Sequence, residues 1–515
     1  MANPQHSRLD QRQAPLFDAL RRHAAARYAA FHVPGHKQRA CGDEDVHRFY
    51  AGVLPLDVTE LADTDNLHRP EGAIAEAQRL AAACFGAEET CLLVGGSTAG
   101  NLAMVLAACA PGELMLVQRN VHQSMFHGLM LAGARAVLLP PETDPETGLA
   151  VVPSAATVAE AIRRYPEAKA LLLCNPNYYG MTADLGPLVE LAHRAGMPVL
   201  VDEAHGPHFG FHPSFPPSAL QAGADVVVQS AHKMLSAMTM GAWLHMQGTR
   251  VARAEVRRYL RMVQSSSPSY PIMASLDLAR RELAVRGHGL FREALQTRRR
   301  VAEALRELPF GLLAFGESGI GPDGEGGSGK GGMAIRQDPL KITLYDRTGR
   351  LDGFALAEAL QRRGCLPEMA DARHAVLALG PGTTEADGER LIAALRQAAA
   401  ELEVAAASAG RPAQTETLTA ASPADDGRLA AVPEPLPFSR QLPPSEPVPR
   451  EKAVGRVAGE WIIPYPPGVP LLVPGETITE RHVAELVRWS GSAVQGAADP
   501  TLRTVRVAMA ESANR

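Results

Sequence analysis

Short apolar runs alternate with longer amphipathic segments through the first half of the chain. The runs are four to six residues long and cover 90–94, 113–118, 136–139, 170–174, 198–202 and 225–229. Brief apolar runs bounded by polar turns are typical of strands buried on both faces. The segments at 12–30, 71–85 and 99–110 have the length and spacing of helices. This alternation predicts an α/β fold with a mostly parallel sheet covered by helices.

The second half of the chain has a different pattern. A long charged helix is predicted over 280–307, helices over 352–363 and 385–402, and strands over 341–345 and 375–379, which together indicate a smaller α+β domain. Residues 316–333 are rich in glycine and are predicted to form a loop. Residues 403–450 are rich in Ala, Pro, Ser, Glu and Thr with few aromatic side chains, which is typical of a flexible linker.

The length of 515 residues exceeds what one hydrophobic core usually organises. The predicted organisation is an N-terminal arm at 1–60, a large domain at 61–278, a small α+β domain at 279–402, the linker at 403–450 and a C-terminal domain at 451–515.

The composition argues against several classes of function. The net charge is −5 with interspersed signs, so nothing favours nucleic acid or an anionic membrane surface. The start of the chain lacks the apolar run of a secretory signal, and no stretch is apolar enough to predict a membrane span. The six cysteines form no Cys-x-x-Cys pair, which favours reduced thiols and a cytoplasmic protein.

Candidate chemistry begins with an acid and a lysine. Asp202 ends the apolar run 198–202, where ligands bind in open α/β sheets, and Lys233 follows in Ser230-Ala231-His232-Lys233. Pyridoxal phosphate (PLP) needs a lysine amine for its aldehyde and an acid that keeps its pyridine nitrogen protonated, so that the ring accepts electrons. Taken alone, the acid also fits a Walker B-like position or a structural cap, and the lysine fits a surface turn.

A glycine-rich turn lies upstream, where a predicted strand meets a predicted helix. Its residues Gly95-Gly96-Ser97-Thr98-Ala99 combine free backbone N–H groups at a helix start with two hydroxyls, which suits a phosphate dianion. The alternative is an ordinary N-cap turn. The run 324–331 approaches a P-loop, but Gly331 stands where Ser or Thr is needed, so a surface loop is predicted there.

Eight motifs follow one another along the chain. Besides the glycine turn, which continues through Gly100 to Asn101, and the Asp202 and Lys233 runs, they are Phe31-His32-Val33-Pro34-Gly35-His36-Lys37, Asp57-Val58-Thr59-Glu60, Asn175-Pro176-Asn177-Tyr178-Tyr179-Gly180, Gln264-Ser265-Ser266-Ser267-Pro268-Ser269-Tyr270 and Pro464-Tyr465-Pro466-Pro467-Gly468-Val469-Pro470. Together they resemble the Orn/Lys/Arg decarboxylase family of fold-type-I PLP enzymes, in its short form without an N-terminal receiver-like domain. The resemblance covers about 11–400 and resumes near 450. It implies a PLP-dependent transferase-like large domain with smaller α+β and C-terminal domains.

The resemblance also implies roles for individual residues. The cofactor phosphate would be held by Ser97, Thr98, Ala99, Ser230 and His232. Lys233 would bond to the cofactor aldehyde, and Asp202 would pair with its ring nitrogen. His122 would stack on the ring and could take part in proton transfer, and His205 would reach the cofactor or the substrate carboxylate. The predicted catalytic residues are Lys233, Asp202, His205 and His122. No metal is expected, since His205 and His208 have no third ligand at a recognised spacing.

The implied reaction is decarboxylation of a basic L-amino acid, arginine first and then lysine or ornithine, to the amine and CO₂, feeding polyamine synthesis. The family works as homodimers or larger assemblies with interfacial active sites, to which residues 264–270 would contribute from the neighbour. Asn177 stands where the family usually has Thr, which leaves its role open. An aminotransferase, a carbon–carbon lyase and a non-catalytic homologue are the alternatives.

Several acids are candidates for meeting the positive charge of the substrate. Asp57, Glu60, Asp63 and Asp65 form an acidic loop, which is either solvated or lines the entrance to the site. Glu368, Asp371 and Glu460 are further candidates for the distal group of the amino acid. The sequence does not choose among them.

Overall fold

The computed structural model describes residues 9–145, 147–315, 334–409 and 432–509. The glycine-rich 316–333 stretch, with its near-P-loop, therefore lies outside the described residues. In chain order the helices are α1 (Pro15–Ala26), α2 (Glu44–Tyr50), α3 (Ala73–Phe85), α4 (Gly96–Ala108), α5 (Gln123–Ala132), α6 (Ala155–Arg164), α7 (Gly186–Arg194), α8 (Ala231–Met234), α9 (Arg253–Val263), α10 (Tyr270–Arg286), α11 (Arg292–Ala304), α12 (Gly353–Gln361), α13 (Glu385–Ala409) and α14 (Glu480–Arg488). Within the described residues, no helix combines the length and apolar character needed to cross a bilayer.

The strands confirm the apolar runs. In chain order they are β1 (Glu89–Leu93), β2 (Leu114–Gln118), β3 (Arg135–Leu139), β4 (Leu171–Cys174), β5 (Met181–Ala183), β6 (Val199–Asp202), β7 (Val226–Gln229), β8 (Ala242–Met246), β9 (Phe310–Leu312), β10 (Ile335–Gln337), β11 (Lys341–Asp346), β12 (Met369–Ala370), β13 (Ala375–Ala378), β14 (Leu436–Pro437), β15 (Ser445–Pro449), β16 (Ile463–Pro464), β17 (Val494–Gln495) and β18 (Thr504–Ala508). The six runs predicted in the first half are found with bounds within one residue, because fully buried apolar strands have the clearest pattern. The buried strand β8 was not predicted.

The long helix predicted over 280–307 is wrong. The chain instead forms α10 and α11, which are separated by a 3₁₀ segment at Gly287–Phe291. Gly287 ends α10 with a positive φ of 50°, a conformation that glycine adopts without steric cost. Charged helical patterns lie on both sides of the break, and the two glycines between them, Gly287 and Gly289, are the local signal that the prediction of one helix overlooked.

The described chain divides into two compact units. The first contains the described residues of Met1–Ala108, Ala192–Arg292 and Gly380–Gly382. Its strands lie in the order β1-β8-β7-β6, with β6 parallel to β7 and with β8 antiparallel to both neighbours. Helix α4 packs on this sheet so closely that a Cβ atom at Gly100 would lie 2.8–2.9 Å from Leu93 and Val228. Only glycine allows that approach.

The second unit contains the described residues of Cys109–Leu191, Glu293–Leu379 and Thr383–Arg515. Its strands β4, β2 and β3 are parallel, and β14 adds antiparallel to β3. A separate antiparallel sheet, β12-β13-β11-β9, packs with α12, which also contacts α13. Two short strand pairs, β15–β18 and β16–β17, accompany a small apolar core that includes Ile462, Leu472 and Val507.

The structure differs from the predicted linker at both of its ends. Helix α13 runs past residue 402 to Ala409, and residues 432–450 carry β14 and β15. Phe438 is buried against Phe126 and Trp461, so the few apolar residues of this Pro-rich stretch are enough to bind it to the unit. Residues 410–431 lie outside the described residues, and the other domain boundaries stay predictions.

Candidate active site

Asp202 lies at the carboxyl end of β6, a strand whose four residues are all buried. Its carboxylate is 3% exposed, so its hydrogen bonds come from the protein. Asn101 Nδ2 donates to Oδ2 at 2.8 Å, and the Ala204 N–H donates to Oδ1 at 3.1 Å. The acid is therefore held in place from both oxygens while retaining capacity for a further partner.

Burial raises the pKa of Asp202, and the charge of Lys233 and the hydrogen bonds of Asn101 and Ala204 only partly oppose that shift. A buried carboxylate in this condition is stabilised by any additional cation that lies beside it. A protonated pyridine nitrogen is such a cation. The electrostatics of Asp202 therefore fit the partner that PLP chemistry requires.

Lys233 is carried by the short helix α8, which begins directly after Ser230 at the end of β7. Its Nζ lies 3.1 Å from Nε2 of His205, and the His205 ring is 4% exposed. An ammonium group is only a donor, so Nε2 accepts this bond when Lys233 is charged. The structure thus brings together three residues singled out by the sequence, Asp202, His205 and Lys233.

Ser230 carries a buried hydroxyl that is able to donate to a phosphate oxygen. Its side chain is fully buried, and its Oγ makes no hydrogen bond to any residue that the structure describes. A buried hydroxyl without a partner costs free energy, about 1–3 kcal/mol, unless a ligand satisfies it. A phosphate oxygen would do so. The half-buried His232 follows two residues later, on α8.

The glycine turn opens helix α4, as predicted. Ser97 is half-buried, Thr98 is exposed and Ala99 is buried. The first N–H groups of a helix of this length have no partner within the helix and attract anions. The first turn of α4 and Ser230 are therefore the groups of the first unit that suit a phosphate, whereas Asp202 suits the ring nitrogen.

His122 belongs to the second unit, and its local environment is described there. It is the N-cap of α5, and its Nδ1 accepts the Ser124 N–H at 3.2 Å and lies 2.8 Å from Ser124 Oγ. A backbone N–H can only donate, so Nδ1 carries the lone pair and the proton of the neutral ring lies on Nε2.

Two functional features were missed from the sequence. The first is the role of Asn101, the last residue of the glycine motif, whose amide holds Asp202. It follows Ser97 by four positions, and this helical spacing places both on one face and could have revealed the role. The second is the pair of Glu203 and Gln229, in which Gln229 Nε2 donates to Glu203 Oε2 at 2.7 Å. Nothing in the sequence indicates that partnership, because it joins the ends of β6 and β7.

The Glu203–Gln229 pair continues into a buried polar network. The Ala219 N–H donates to Glu203 Oε1, His245 Nε2 donates to Gln229 Oε1, and His245 Nδ1 accepts from Thr90. Burial raises the pKa of Glu203 to about 8 and lowers that of His245 to about 3. The network links the residue after Asp202 to the residue before Ser230.

Most of the acidic loop has structural partners. Asp57 is 3.1 Å from His36, and Asp63 is 2.9 Å from His23. Asp65 accepts backbone N–H groups at the start of α3, including that of Ile74. Hydrogen bonds of this kind hold the pKa of Asp65 below its usual value against the opposing effect of burial.

The three acids proposed for the distal group of the substrate differ in their surroundings. Asp371 accepts from Tyr179 Oη at 2.6 Å, and Glu460 is buried and accepts the backbone N–H groups of Ala498 and Arg506. Glu368 is exposed. Two of the three carboxylates are therefore already used by the fold.

Two other sequence questions have local answers. The Asn177 amide closes its own turn, because Oδ1 accepts the N–H groups of Tyr179 and Met181 and Nδ2 donates to Ala150 O. Among the described residues, no group of three or more His, Cys, Asp or Glu side chains is arranged to hold a metal ion.

Comparisons with known proteins agree with this geometry. Residues 14–313 match the family model described as "Orn/Lys/Arg decarboxylase, major domain", and residues 443–490 match the C-terminal domain of the same family. The chain is 41% identical to the uncharacterized protein YaaO of Bacillus subtilis, over 92% of this chain and 94% of that protein. It is 34% identical to the arginine decarboxylase of Bacillus subtilis, over 97% of this chain and 98% of that enzyme.

Among solved structures, lysine decarboxylase A from Pseudomonas aeruginosa superposes with a TM-score of 0.76 at 22% sequence identity, covering 96% of this chain and 80% of that one. The constitutive lysine decarboxylase of Escherichia coli superposes with a TM-score of 0.72 at 21% identity, covering 97% and 82%. These likenesses confirm the predicted fold class.

Proposed function

This chain belongs to the Orn/Lys/Arg decarboxylase family, and from that premise we propose that it is a PLP-dependent decarboxylase whose preferred substrate is L-arginine. The observation that carries the proposal is the juxtaposition of Lys233, His205 and the buried Asp202, with the unsatisfied Ser230 hydroxyl directly before α8. When bound, PLP supplies an electron sink for the pair of electrons left on Cα as CO₂ departs.

The residues of the chain have distinct tasks in this proposal. Asp202 keeps the proton on the pyridine nitrogen, because its buried carboxylate is stabilised by a cation at that atom. Lys233 would hold the cofactor aldehyde between turnovers and would return a proton to Cα. The phosphate would be held by Ser97, Thr98, Ala99, Ser230 and His232, and the ring would stack on His122.

His205 has a task linked to Lys233. Its Nε2 is the hydrogen-bond partner of Nζ, so it orients the amine when that amine is free. The substrate carboxylate is the alternative partner of this imidazole. We therefore include His205 among the catalytic residues of the proposal.

Arginine is favoured by the comparisons. The relatives named arginine decarboxylase from Bacillus subtilis and Bacillus anthracis are 34% identical over 97% of this chain, whereas the lysine decarboxylase of Pseudomonas aeruginosa is 27% identical over 90%. Lysine and ornithine differ from arginine in the distal group and its reach, so they are the competing substrates.

The proposal includes a homodimer with active sites at the subunit interface. Large apolar side chains of the N-terminal arm are exposed, with Phe31 95% and Val33 65% accessible to solvent. A second copy would remove such surface from water. Ser265, Ser266 and Ser267 are also exposed, as they must be to reach a neighbour's site.

A cytoplasmic location and a role in supplying polyamine precursors complete the proposal. All six cysteines are free thiols, which is typical of a reducing compartment. The amine produced from any of the three substrates is a polyamine precursor.

The direct test is to incubate the purified chain and PLP with each of arginine, lysine and ornithine. We expect CO₂ and agmatine from arginine, at a kcat/KM at least about tenfold above that for the other two. The control is Lys169→Ala, which removes an exposed lysine of the second unit and should leave the rate unchanged. Release of a keto acid, or no CO₂ from any of the three, would contradict the proposal.

A further inference from the structure

The loop formed by residues 464–470 packs directly on His122. Its Gly468 accepts the Gln123 N–H through the backbone oxygen at 2.8 Å. A Cβ atom at Gly468 would lie 2.9 Å from both Cδ2 and Nε2 of the His122 ring, closer than such contacts occur in proteins. The ring edge therefore lies against bare backbone.

The opposite edge of the same ring is also held. His122 Nδ1 accepts the Ser124 N–H, so the first turn of α5 fixes that nitrogen. An imidazole held at Nδ1 on one side and covered at Cδ2 and Nε2 on the other has little freedom to rotate about its side-chain bonds. The plane of the His122 ring is thus fixed by two elements that are distant in sequence, the start of α5 and the 464–470 loop.

A half-buried ion pair binds the loop to the strand that leads to His122. Arg119, directly after β2, donates to the Glu476 carboxylate through Nε at 2.5 Å and a terminal nitrogen at 2.7 Å. The same guanidinium donates to Pro470 O at 2.8 Å and to Leu471 O at 3.1 Å. Both charged side chains are less than a fifth exposed, so solvent screens the pair weakly.

We propose that residues 464–470 are a positioning element for the cofactor-stacking histidine, with Gly468 setting the plane of the His122 ring and Arg119–Glu476 holding the loop against it. This inference rests on the proposed function, in which His122 stacks on PLP. Aromatic stacking depends on the separation and tilt of the rings, so a shift of the imidazole weakens it. Gly468 acts through His122 and is a positioning residue.

The chain offers a matched pair of glycines for the test. Gly468 has φ +78° and Gly455 has φ +79°, and nothing lies within 4 Å of a Cβ atom at Gly455. Alanine therefore strains the backbone alike at both positions, but only Gly468→Ala also pushes on His122. The difference between the two variants isolates the contact with the ring.

The first readout needs no cofactor. In histidine-labelled apo-protein, with the His122 ring resonance assigned through His122→Gln, we expect Gly468→Ala to shift the ring Cδ2–H signal and Gly455→Ala to leave it in place. The second readout is the Kd for PLP, which should rise about tenfold in Gly468→Ala and less than about twofold in Gly455→Ala. Equal behaviour of the two variants in both readouts would overturn the proposal.

A double-mutant cycle separates positioning from general damage. His122→Ala should weaken PLP binding by itself, and adding Gly468→Ala should then have no further effect, because the ring through which Gly468 acts is gone. If the rises in the PLP Kd caused by the two substitutions multiply in the double variant, the proposal is overturned. If the wild-type chain binds no PLP, the proposed function is wrong. The His122 resonance of the apo-protein would still show whether the 464–470 loop sets the plane of the ring.

Glu476→Gln provides the test should Gly468→Ala fail to fold. It weakens the grip of Arg119 on the loop without adding volume, and we expect a shifted His122 resonance and an approximately threefold rise in the PLP Kd. Glu480→Gln is the control, since Glu480 is an exposed acid on the adjacent α14. An unshifted resonance in Glu476→Gln would contradict the role of the ion pair.

Discussion

Two aspartates, the buried Asp202 in the first unit and the half-buried Asp371 in the second, have opposite electrostatic environments. Asp202 receives two hydrogen bonds, and burial raises its pKa in spite of them and of Lys233. Asp371 is also subject to burial, but bonds from His374, Tyr179 and the Arg373 N–H outweigh it and lower the pKa.

The difference shows what each carboxylate is suited to do. The hydrogen-bond donors around Asp371 come from its own unit, so its charge stabilises the local fold and needs no ligand. Asp202 is a costly charge in the isolated chain, and a cationic ligand lowers that cost. A carboxylate that the fold leaves short of partners is therefore a better candidate for ligand binding than one that is saturated.

The largest expected effect is at the lysine beside Asp202. Lys233→Ala should lower kcat by about 10⁴-fold or more and abolish the absorbance of the lysine-bound cofactor, because the amine that bonds to the cofactor aldehyde is removed. Steady-state kinetics and an absorbance spectrum of the purified variant check both. Retention of either would refute the assignment.

Asp202→Asn tests whether the carboxylate of Asp202 serves function rather than stability. We expect kcat to fall by about 10³-fold while PLP remains bound, since the amide cannot keep the ring nitrogen protonated. The apo-protein should be no less stable to urea than the wild type, because a buried charge has been removed. A near-normal kcat would remove the electron-sink role of Asp202.

Glu203→Gln tests the acid that follows Asp202. Its pKa is about 8 in the folded chain against an ordinary value of 4.5, so the folded state binds the proton more tightly. This contribution to stability is complete below about pH 4.5 and is lost as the pH rises to about 8.

Urea unfolding of the apo-protein between pH 5 and pH 8 measures that loss. The wild type should lose on the order of 3 kcal/mol from this group, and Glu203→Gln should remove most of the decline. The exposed Glu480→Gln should keep the wild-type slope. An unchanged slope in Glu203→Gln would place the titration elsewhere.

Asp371→Asn tests whether the carboxylate of Asp371 serves stability rather than substrate binding. We expect the free energy of unfolding to fall by about 2 kcal/mol, because hydrogen bonds to a buried charge are weakened. The KM for arginine should change by less than about twofold. A large rise in KM without loss of stability would instead assign Asp371 to the distal group of the substrate.

Ser230→Ala should have the smallest effect. The hydroxyl has no partner among the described residues, so its removal should leave the apo-protein at least as stable to unfolding as the wild type. The Kd for PLP should rise about tenfold as one bond to the phosphate is lost. A PLP titration of Ser230→Ala beside Ser236→Ala, an exposed serine nearby in sequence, checks this.

The sequence predicted those parts of the fold and site that depend on local pattern. The strands that end at Asp202 and Gln229 are short, buried and apolar up to their polar last residue, so their bounds were found within one residue. The break at Gly287 was missed because a charged helical pattern continues on both sides. Residues 432–450 were predicted as linker because composition does not show that Phe438 finds an apolar partner.

The sequence by itself determined the order of strands and helices and the residue types available for the chemistry, because hydrophobic period and motif spacing are properties of neighbouring residues. Only the tertiary structure decided that Asn101 holds Asp202, that Glu203 joins Gln229 and that Gly468 covers His122. Those partners lie far apart in sequence, and hydrogen bonding and burial depend on distances in space that no local pattern encodes.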